Sequence, residues 1–506
     1  MGRTRLVAGA LALLVGACTT STEQARDRPT STASTSTEPT TTSTTARTRT
    51  PPTTTPWATT PATTDTRPAS DSAGDPLFPG LGNSGYDVEH YELHLDTRGS
   101  GLTATATLTL TALAPLERFN LDLVGLTVDA ITVDGNAAAD FSRSGRELVV
   151  QPATTIAVGA TARVTIAYHG EPELIDDPSG PVGLGWYERS EQSFVLAEPL
   201  GGATWFPAND HPQDKATFDL RIIVEPGDVA VGPGILAARS ELPDGTAYLW
   251  QMRQPMATYL ASVVTGRFDL VEQAPVGATQ IRHALPSGYD ADTIEQLAVT
   301  ADLLTIFTDW FGPYPFDSYG VAIVDIRASQ ALALENQTLS VLSVDLFDAP
   351  LADFAARVQA HELAHQWFGN HVSPRRWDDI WLNEGFATWA EYHWAENHSP
   401  GREQEQGIDR YQNLDYGPLK GFPPEDLFDT RMYRRGALTL EALRRTIGHE
   451  PFLALCRAWV ERFGGTSATT QDFFDLVAER HGSSAQDLVR SWVFDEVMPQ
   501  LPPEQS

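Results

Sequence analysis

Two hydrophobic periods divide the chain. From about Leu77, apolar and polar residues alternate with period two: Tyr91, Leu93 and Leu95 are separated by polar positions, Leu102 to Ala112 (LTATATLTLTA) alternates throughout, and Phe119 to Leu123 does so again. Ile131-Thr132-Val133 runs into Asp134-Gly135, a hairpin-turn pair, and Val164-Thr165-Ile166 follows. Short strands punctuated by turns predict an all-β domain over 76–268, ending near Phe268, with no solenoid-type repeat. After about residue 290 the period becomes helical. Thr293 to Phe311 carries apolar residues at helical spacing and stops at Gly312-Pro313-Tyr314-Pro315. Gly320 to Ile326 reads as a buried strand. Asp353 is placed to cap a helix from Ala355 to Phe368, with Gly369 as its stop, and Asp378 or Asp379 to cap a second from Ile380 to about Asn397, ended by Ser399-Pro400-Gly401. Amphipathic helices fill residues 434–497, so a mainly helical domain is expected over 269–500.

Ahead of these domains the pattern is different. Arg3 and Arg5 precede an apolar stretch, Leu6 to Val15, too short for a permanent membrane helix. It ends in Val15-Gly16-Ala17-Cys18, which resembles a bacterial lipobox with Cys18 as the lipidated residue; an ordinary secretory signal cut near Ala17 is the alternative. Residues 1–18 are thus expected to be an export signal. Residues 19–75, rich in Thr, Ser and Pro, hold too few apolar side chains to offset the entropy of ordering, and read as a disordered linker open to O-glycosylation. The two cysteines, Cys18 and Cys456, do not make a disulfide framework; Cys456, within Phe452-Leu453-Ala454-Leu455-Cys456, reads as a buried helix residue. The expected location is the cell envelope, outside the membrane, or the medium.

Charge narrows the partners. The net charge is −31, and residues 1–75 hold seven Lys/Arg against six Asp/Glu, so residues 76–506 carry −32. A folded part that acidic repels phosphate backbones and anionic lipid, which excludes nucleic acid and leaves membrane attachment only through an N-terminal lipid.

The chemistry sits in His361-Glu362-Leu363-Ala364-His365. Two histidines four apart lie about 40° apart around a helix axis, so both imidazoles face one side, while Glu362 projects to the flank, within reach of a water on the ion. One zinc ion is the expected cofactor, and it needs a third ligand with a fourth position left open. His371 lies six residues after His365, but Phe368 occupies the place where a sharp bend wants glycine, and Gly369 comes one residue late. Glu384, 19 residues after His365, sits near the start of the second helix between Trp381 and Phe386, a poor setting for a solvated carboxylate. His393 and His398 decorate the same helix.

HELAHQWFGN followed by WLNEGFATWAEY resembles the aminopeptidase N family, which includes leukotriene hydrolases, within the gluzincin metallopeptidases. The likeness extends over roughly 85–500: Trp205 to Pro212 with Asp214 to Phe218, Phe311 to Phe316, and Tyr433-Arg434-Arg435-Gly436-Ala437 are similar to further family segments. It implies a multidomain α+β fold, an N-terminal antiparallel β saddle or sandwich followed by a thermolysin-like catalytic domain, with peptides as substrates. The metal ligands implied are His361, His365 and Glu384; Glu362 is the acid–base and Tyr433 the donor to the oxyanion. The family's Gly-x-Met-Glu-Asn segment corresponds to Leu332-Ala333-Leu334-Glu335-Asn336, which implies substrate binding by Ala333, Glu335 and Asn336, with Glu335 gripping the free amino group. Leucines replace the glycine and methionine there. Glu198 falls near a family glutamine that meets the same amino end. The family's large C-terminal helical domain is expected to be absent, since the chain stops 122 residues after Glu384, which would leave a more open cleft. The activity implied is that of a zinc aminopeptidase. An endopeptidase with an open cleft, a non-catalytic surface binding protein and an epoxide hydrolase are the competing readings.

Overall fold

The computed structural model describes residues 70–180, 182–289, 291–326, 333–348, 351–398 and 407–504. Cys18, the linker up to Ala69 and Leu332 lie outside the described residues. Alternation does produce strands in the first half. Leu102–Ala112 is a single strand whose Leu and Ala side chains are buried, and its central Thr107 meets Thr165 across the sheet at 3.1 Å. Eight strands form one sheet in the spatial order Ile235–Leu242, Gly245–Ala257, Lys215–Val224, Tyr86–Asp96, Leu102–Ala112, Thr161–Gly170, Thr127–Val133, Asn136–Ala137. All neighbours run antiparallel except Tyr86–Asp96 with Lys215–Val224. The expected hairpin at Asp134-Gly135 forms, with φ of 51° and 78°, the two positive values such a turn requires. A three-stranded sheet (Phe119–Asp122, Glu147–Gln151, Asp140–Ser144) and a four-stranded one (Val229–Val231, Val264–Gly266, Gln192–Leu196, Gly185–Arg189) complete the β-rich half.

From Phe268 onward the strands join a different sheet, in the order Phe268–Val276, Thr279–Pro286, Val321–Val324, Ser340–Ser343, Ala333–Leu334. Eight helices accompany it among the described residues: α1 (Ala291–Gln296), α2 (Val299–Phe311), α3 (Ala352–Ala364), α4 (Trp381–His398), α5 (Thr430–Ile447), α6 (His449–Phe463), α7 (Thr470–His481) and α8 (Ser483–Phe494). None of the described helices is long and apolar enough to cross a membrane. Cys456 is buried on α6.

Several boundaries differ from expectation. The helix predicted over 293–311 is broken at Leu297 and Ala298, where hydrogen bonds shorten to three residues. The strand expected over 320–326 keeps only Val321–Val324. Asp353 lies inside the first turn of α3, whose cap position is Leu351. Asp378 and Asp379 belong to a 3₁₀ turn before α4; Asp379 accepts from the N–H and hydroxyl of Thr470 at 3.0 and 2.6 Å, so it serves the start of α7 instead. Helix α3 stops at Ala364, not Phe368. Beyond His365 the backbone bonds span five residues, from Asn370 to His365, His371 to Gln366 and Val372 to Trp367, which turns the chain at once. Gly369 (φ 121°) makes that turn, and a Cβ there would lie 3.4 Å from Nδ1 of His365.

One apolar core runs through both halves, joined where Tyr259 packs edge-on against Trp377 at 4.9 Å. Asp75 ties the same junction: its buried carboxylate accepts from the N–H of Trp377 at 2.8 Å and sits 3.3 Å from Nε2 of His211. Helices α4 and α5 touch through their backbones. A Cβ on Gly385 would stand 2.9 Å from the Gly436 carbonyl carbon, and one on Gly436 would stand 2.8 Å from the Gly385 Cα. Neither backbone can yield locally. Gly436→Ala is therefore expected to cost about 1–3 kcal/mol of stability by overpacking, read as a lowered thermal unfolding midpoint; an unchanged midpoint would show that the helices separate freely.

Candidate metal centre and acidic cleft

Helix α3 supplies His361 and Glu362, and His365 caps its end. The chain then reverses and returns as α4, whose first turn carries Glu384, where the positive end of the helix dipole favours a carboxylate. Oε2 of Glu384 lies 3.3 Å from Nε2 of His361 and 3.6 Å from Nε2 of His365. The three ligand atoms all fall within 4.8 Å of one another, yet Glu384 Oε2 is buried without a hydrogen-bond partner. Two imidazole nitrogens and an orphaned carboxylate oxygen converging on one point are a donor set suited to a tetrahedral divalent ion. Burial opposes charge on Glu384, but the two imidazoles outweigh it and hold the carboxyl at about 2.

Both histidines are aimed from behind. Nδ1 of His365 lies 3.1 Å from the carbonyl oxygen of Phe368. Nδ1 of His361 lies 3.4 Å from Glu391, and Glu391 receives the guanidinium of Arg357 at 2.9 and 2.5 Å, with that guanidinium lying 4.6 Å above the Tyr392 ring. Burial again opposes charge, and Arg357 with His361 keeps the Glu391 carboxyl below its usual range. Such partners fix the ring orientation and leave each Nε2 free for an ion. The motif reading did not single out Arg357 or Glu391. Their signal lay in spacing: Arg357 is one turn before His361, and Glu391 two turns after Glu384.

An open cleft lies in front of this donor set. Glu198, Ala333, Glu335, Glu362 and Tyr433 line it with the three ligand candidates, as do Leu184, Leu196 and Phe428. Burial pushes the Glu362 carboxyl up to about 7, with His361 and His365 pulling it back and Glu335 and Glu384 adding to the rise. Tyr433, in the first turn of α5, stacks 6.0 Å from the His361 ring at 22°. Burial first, then Glu384 and the other carboxylates, hold its hydroxyl well above the usual range, so it stays a donor.

Glu335 and Glu198 form a second acidic pair. Each has a buried Oε1 with no partner, and their carboxylates lie within 4.8 Å of Glu384 as well as of each other. Burial, then Glu335 and Glu384, push Glu198 well above its usual range; burial and Glu384 raise Glu335 as well, with His365 and His361 pulling it back. The backbone at Glu335 is held from the turn after α3: its carbonyl accepts from Nε2 of Gln366 at 3.1 Å and Nδ2 of Asn370 at 2.6 Å, while Oε1 of Gln366 accepts the N–H of Thr338 at 2.8 Å. Asn336, expected in the substrate site, does not line the cleft; its Nδ2 donates to the Leu260 carbonyl at 3.3 Å. His371 is not a ligand candidate. It lies in the loop after α3, packed on Phe316 at 5.9 Å, and burial, with Lys215 adding to it, lowers it to about 3. His393 and His398 stack on Trp389 and Trp394 along α4.

Comparison with known proteins agrees with this geometry. Residues 87–260 match the Peptidase M1 N-terminal domain, and residues 295–492 match the Peptidase family M1 domain. The M1 zinc metallopeptidase of Deinococcus radiodurans has a similar solved structure, 34% identical with a TM-score of 0.79, aligned over 86% of this chain and 100% of that one. A glutamate-to-alanine variant of that enzyme has been solved bound to a Tyr-Ser-Ala substrate. Rice aminopeptidase M1-A is 29% identical over 457 residues, and Lactococcus lactis aminopeptidase N is 25% identical over 437. Those alignments take in 81% and 80% of this chain but 50% of each relative, so the chain spans about half the length of these curated relatives. With a solved relative matched over its whole length and family domains matched in both halves, this chain belongs to peptidase family M1.

Proposed function

We propose that the chain is a zinc aminopeptidase that removes amino-terminal residues from peptides. The observation that carries this reading is the Glu198–Glu335 pair, buried and unpartnered beside the His361–His365–Glu384 donor set. Two buried carboxylates within 4.8 Å of each other, each with an oxygen that lacks a partner, create a place for a small cation, and a peptide's terminal ammonium fits it. An endopeptidase would bring neutral backbone to the same spot and leave both acids unpaired, which disfavours that reading.

A zinc ion held by His361, His365 and Glu384 would acidify water and polarise the scissile carbonyl. Glu362 is placed to take a proton on its carboxylate and return it to the leaving amine, and a pKa near neutrality suits both transfers. Tyr433 would donate its hydroxyl proton to the oxygen on which charge develops. Glu335 and Glu198 would hold the ammonium, so that the first peptide bond, and no later one, meets the donor set. Leu184, Leu196 and Phe428 exclude water from the walls.

The amino-terminal features support a second part of the proposal, that the enzyme is exported and tethered through a lipid on Cys18. Arg3, Arg5, the apolar stretch from Leu6 and the Val15-Gly16-Ala17-Cys18 sequence are its support.

Three outcomes are expected. Glu362→Gln should retain one zinc per chain by metal analysis while losing roughly 10²–10⁴-fold in kcat; loss of the metal together with activity would move Glu362 into the ligand set. Acetylating the amino group of an aminoacyl reporter should lower kcat/KM on the order of 100-fold, the scale for removing one partner of a buried ion pair. Equal turnover of the two forms would dismiss the exopeptidase reading. In a bacterial host, the full chain should incorporate labelled palmitate and Cys18→Ser should not; label retained by the variant would refute lipidation at Cys18.

A further inference from the structure

Lys215 opens the strand Lys215–Val224 in the β-rich half, and its side chain crosses to the helical half. There Nζ donates to the carbonyl oxygens of Asn370 at 2.7 Å, His371 at 3.0 Å and Thr466 at 3.5 Å. Among the described residues no carboxylate pairs with this ammonium. Burial drives it down to about 7 with nothing to oppose the shift. A buried charge met only by backbone dipoles is costly, and here the two nearer dipoles belong to the turn that leaves the helix carrying His361 and His365.

That turn has a task in the cleft. The N–H of Asn370 donates to the His365 carbonyl at 3.0 Å, and its Nδ2 donates to the Glu335 carbonyl at 2.6 Å. The carbonyls that Lys215 gathers also stitch the turn to the segment before α7, through Gly465 N–H to His371 and Ser373 N–H to Thr466. Without a cation, three carbonyls pointing at one spot would repel and the turn would relax outward.

We propose that Lys215 is a positioning residue: from the β-rich half it fixes the backbone of Asn370, and through the Asn370 amide it fixes Glu335 where the substrate's ammonium binds. The proposal rests on the aminopeptidase reading above. It separates Lys215 from a simple interdomain staple, which would affect stability and leave substrate binding alone. Its effect should fall on recognition of the amino end, because Glu335 is the group at the far end of the chain of contacts.

The test uses the zinc-loaded enzyme and a free-amine aminoacyl reporter. If the unmodified enzyme shows no amine-dependent turnover, the aminopeptidase reading fails, and this proposal with it. Given that turnover, Lys215→Met should raise KM about 10-fold while kcat changes less than about threefold and zinc content stays at one. Asn370→Ala should do the same, and the double variant should be no worse than either single one, since both cut one path. A lowered unfolding midpoint with KM unchanged in Lys215→Met would overturn the proposal, and so would KM increases that multiply in the double variant. Should Lys215→Met fail to fold, Asn370→Ala decides alone: an unchanged KM overturns the assignment.

Discussion

Everything in the cleft answers to an excess of buried negative charge. Glu198, Glu335, Glu362 and Glu384 are each less than a tenth exposed, and they share the cleft with two imidazoles and with Arg434, whose guanidinium lies over the Tyr411 ring. Carboxylates at such distances cannot all ionise in a low dielectric unless cations join them. The directions show the division: Glu384 falls because the two imidazoles outweigh its burial, while Glu198, Glu335 and Glu362 rise because burial, with neighbouring carboxylates adding to it, outweighs the cations they face. A dication at the first group and an ammonium at the second would relieve the strain in two separate places. Metal affinity and the proposed amine recognition would in this sense be one electrostatic problem, met at two ends of a single acidic cluster.

Holding those charges together requires rigid supports, and the fold provides them with backbone contacts more than with side chains. Gly385 and Gly436 allow α4 and α5 to touch, which sets the separation between Glu384, one residue before the contact, and Tyr433, three residues before it. Gly369 turns the chain beside the His365 ring. Arg357 then neutralises Glu391 behind His361, so that the carboxylate which orients the imidazole adds little net charge to the cleft.

Much of this was legible in the sequence because periodicity is a local property. The alternation at 102–112 and the Asp134-Gly135 turn specify strands and a hairpin without reference to anything distant. The spacing of His361 and His365 likewise carries its own geometry, whereas Glu384, on another helix, is implied by the family resemblance. The errors lay where distant groups decide. Asp379 has the look of a local helix cap, yet Thr470, 91 residues away, claims its carboxylate. Phe368 has no intrinsic reason to leave a helix; the exit follows from bonds that the turn makes around Gly369. Asn336 shares a segment with Glu335, but beyond the strand Ala333–Leu334 its amide turns to the Leu260 carbonyl. Gln366 and Asn370 stood within the most informative motif and still gave no sign of their targets, because Glu335 reaches them only in three dimensions.

The two halves of the chain therefore cannot be assigned scaffold and chemistry separately. The metal donors come from α3 and α4, but of the two acids beside them Glu198 follows the strand Gln192–Leu196 of the β-rich half, and Glu335 follows Ala333–Leu334 of the other. A small rotation of one half against the other would part these carboxylates before it disturbed the ion's ligands. The junction is built to resist that: the core is continuous across it, Tyr259 packs on Trp377, and Asp75 bonds to the same tryptophan's backbone while touching His211. Trp377 lies four residues before Trp381, where α4 begins, so the contacts that lock the halves also anchor the helix carrying Glu384. Under the proposed activity, precision at the amino end of a substrate would thus be a property of the interface, which positions the acids beside the histidines.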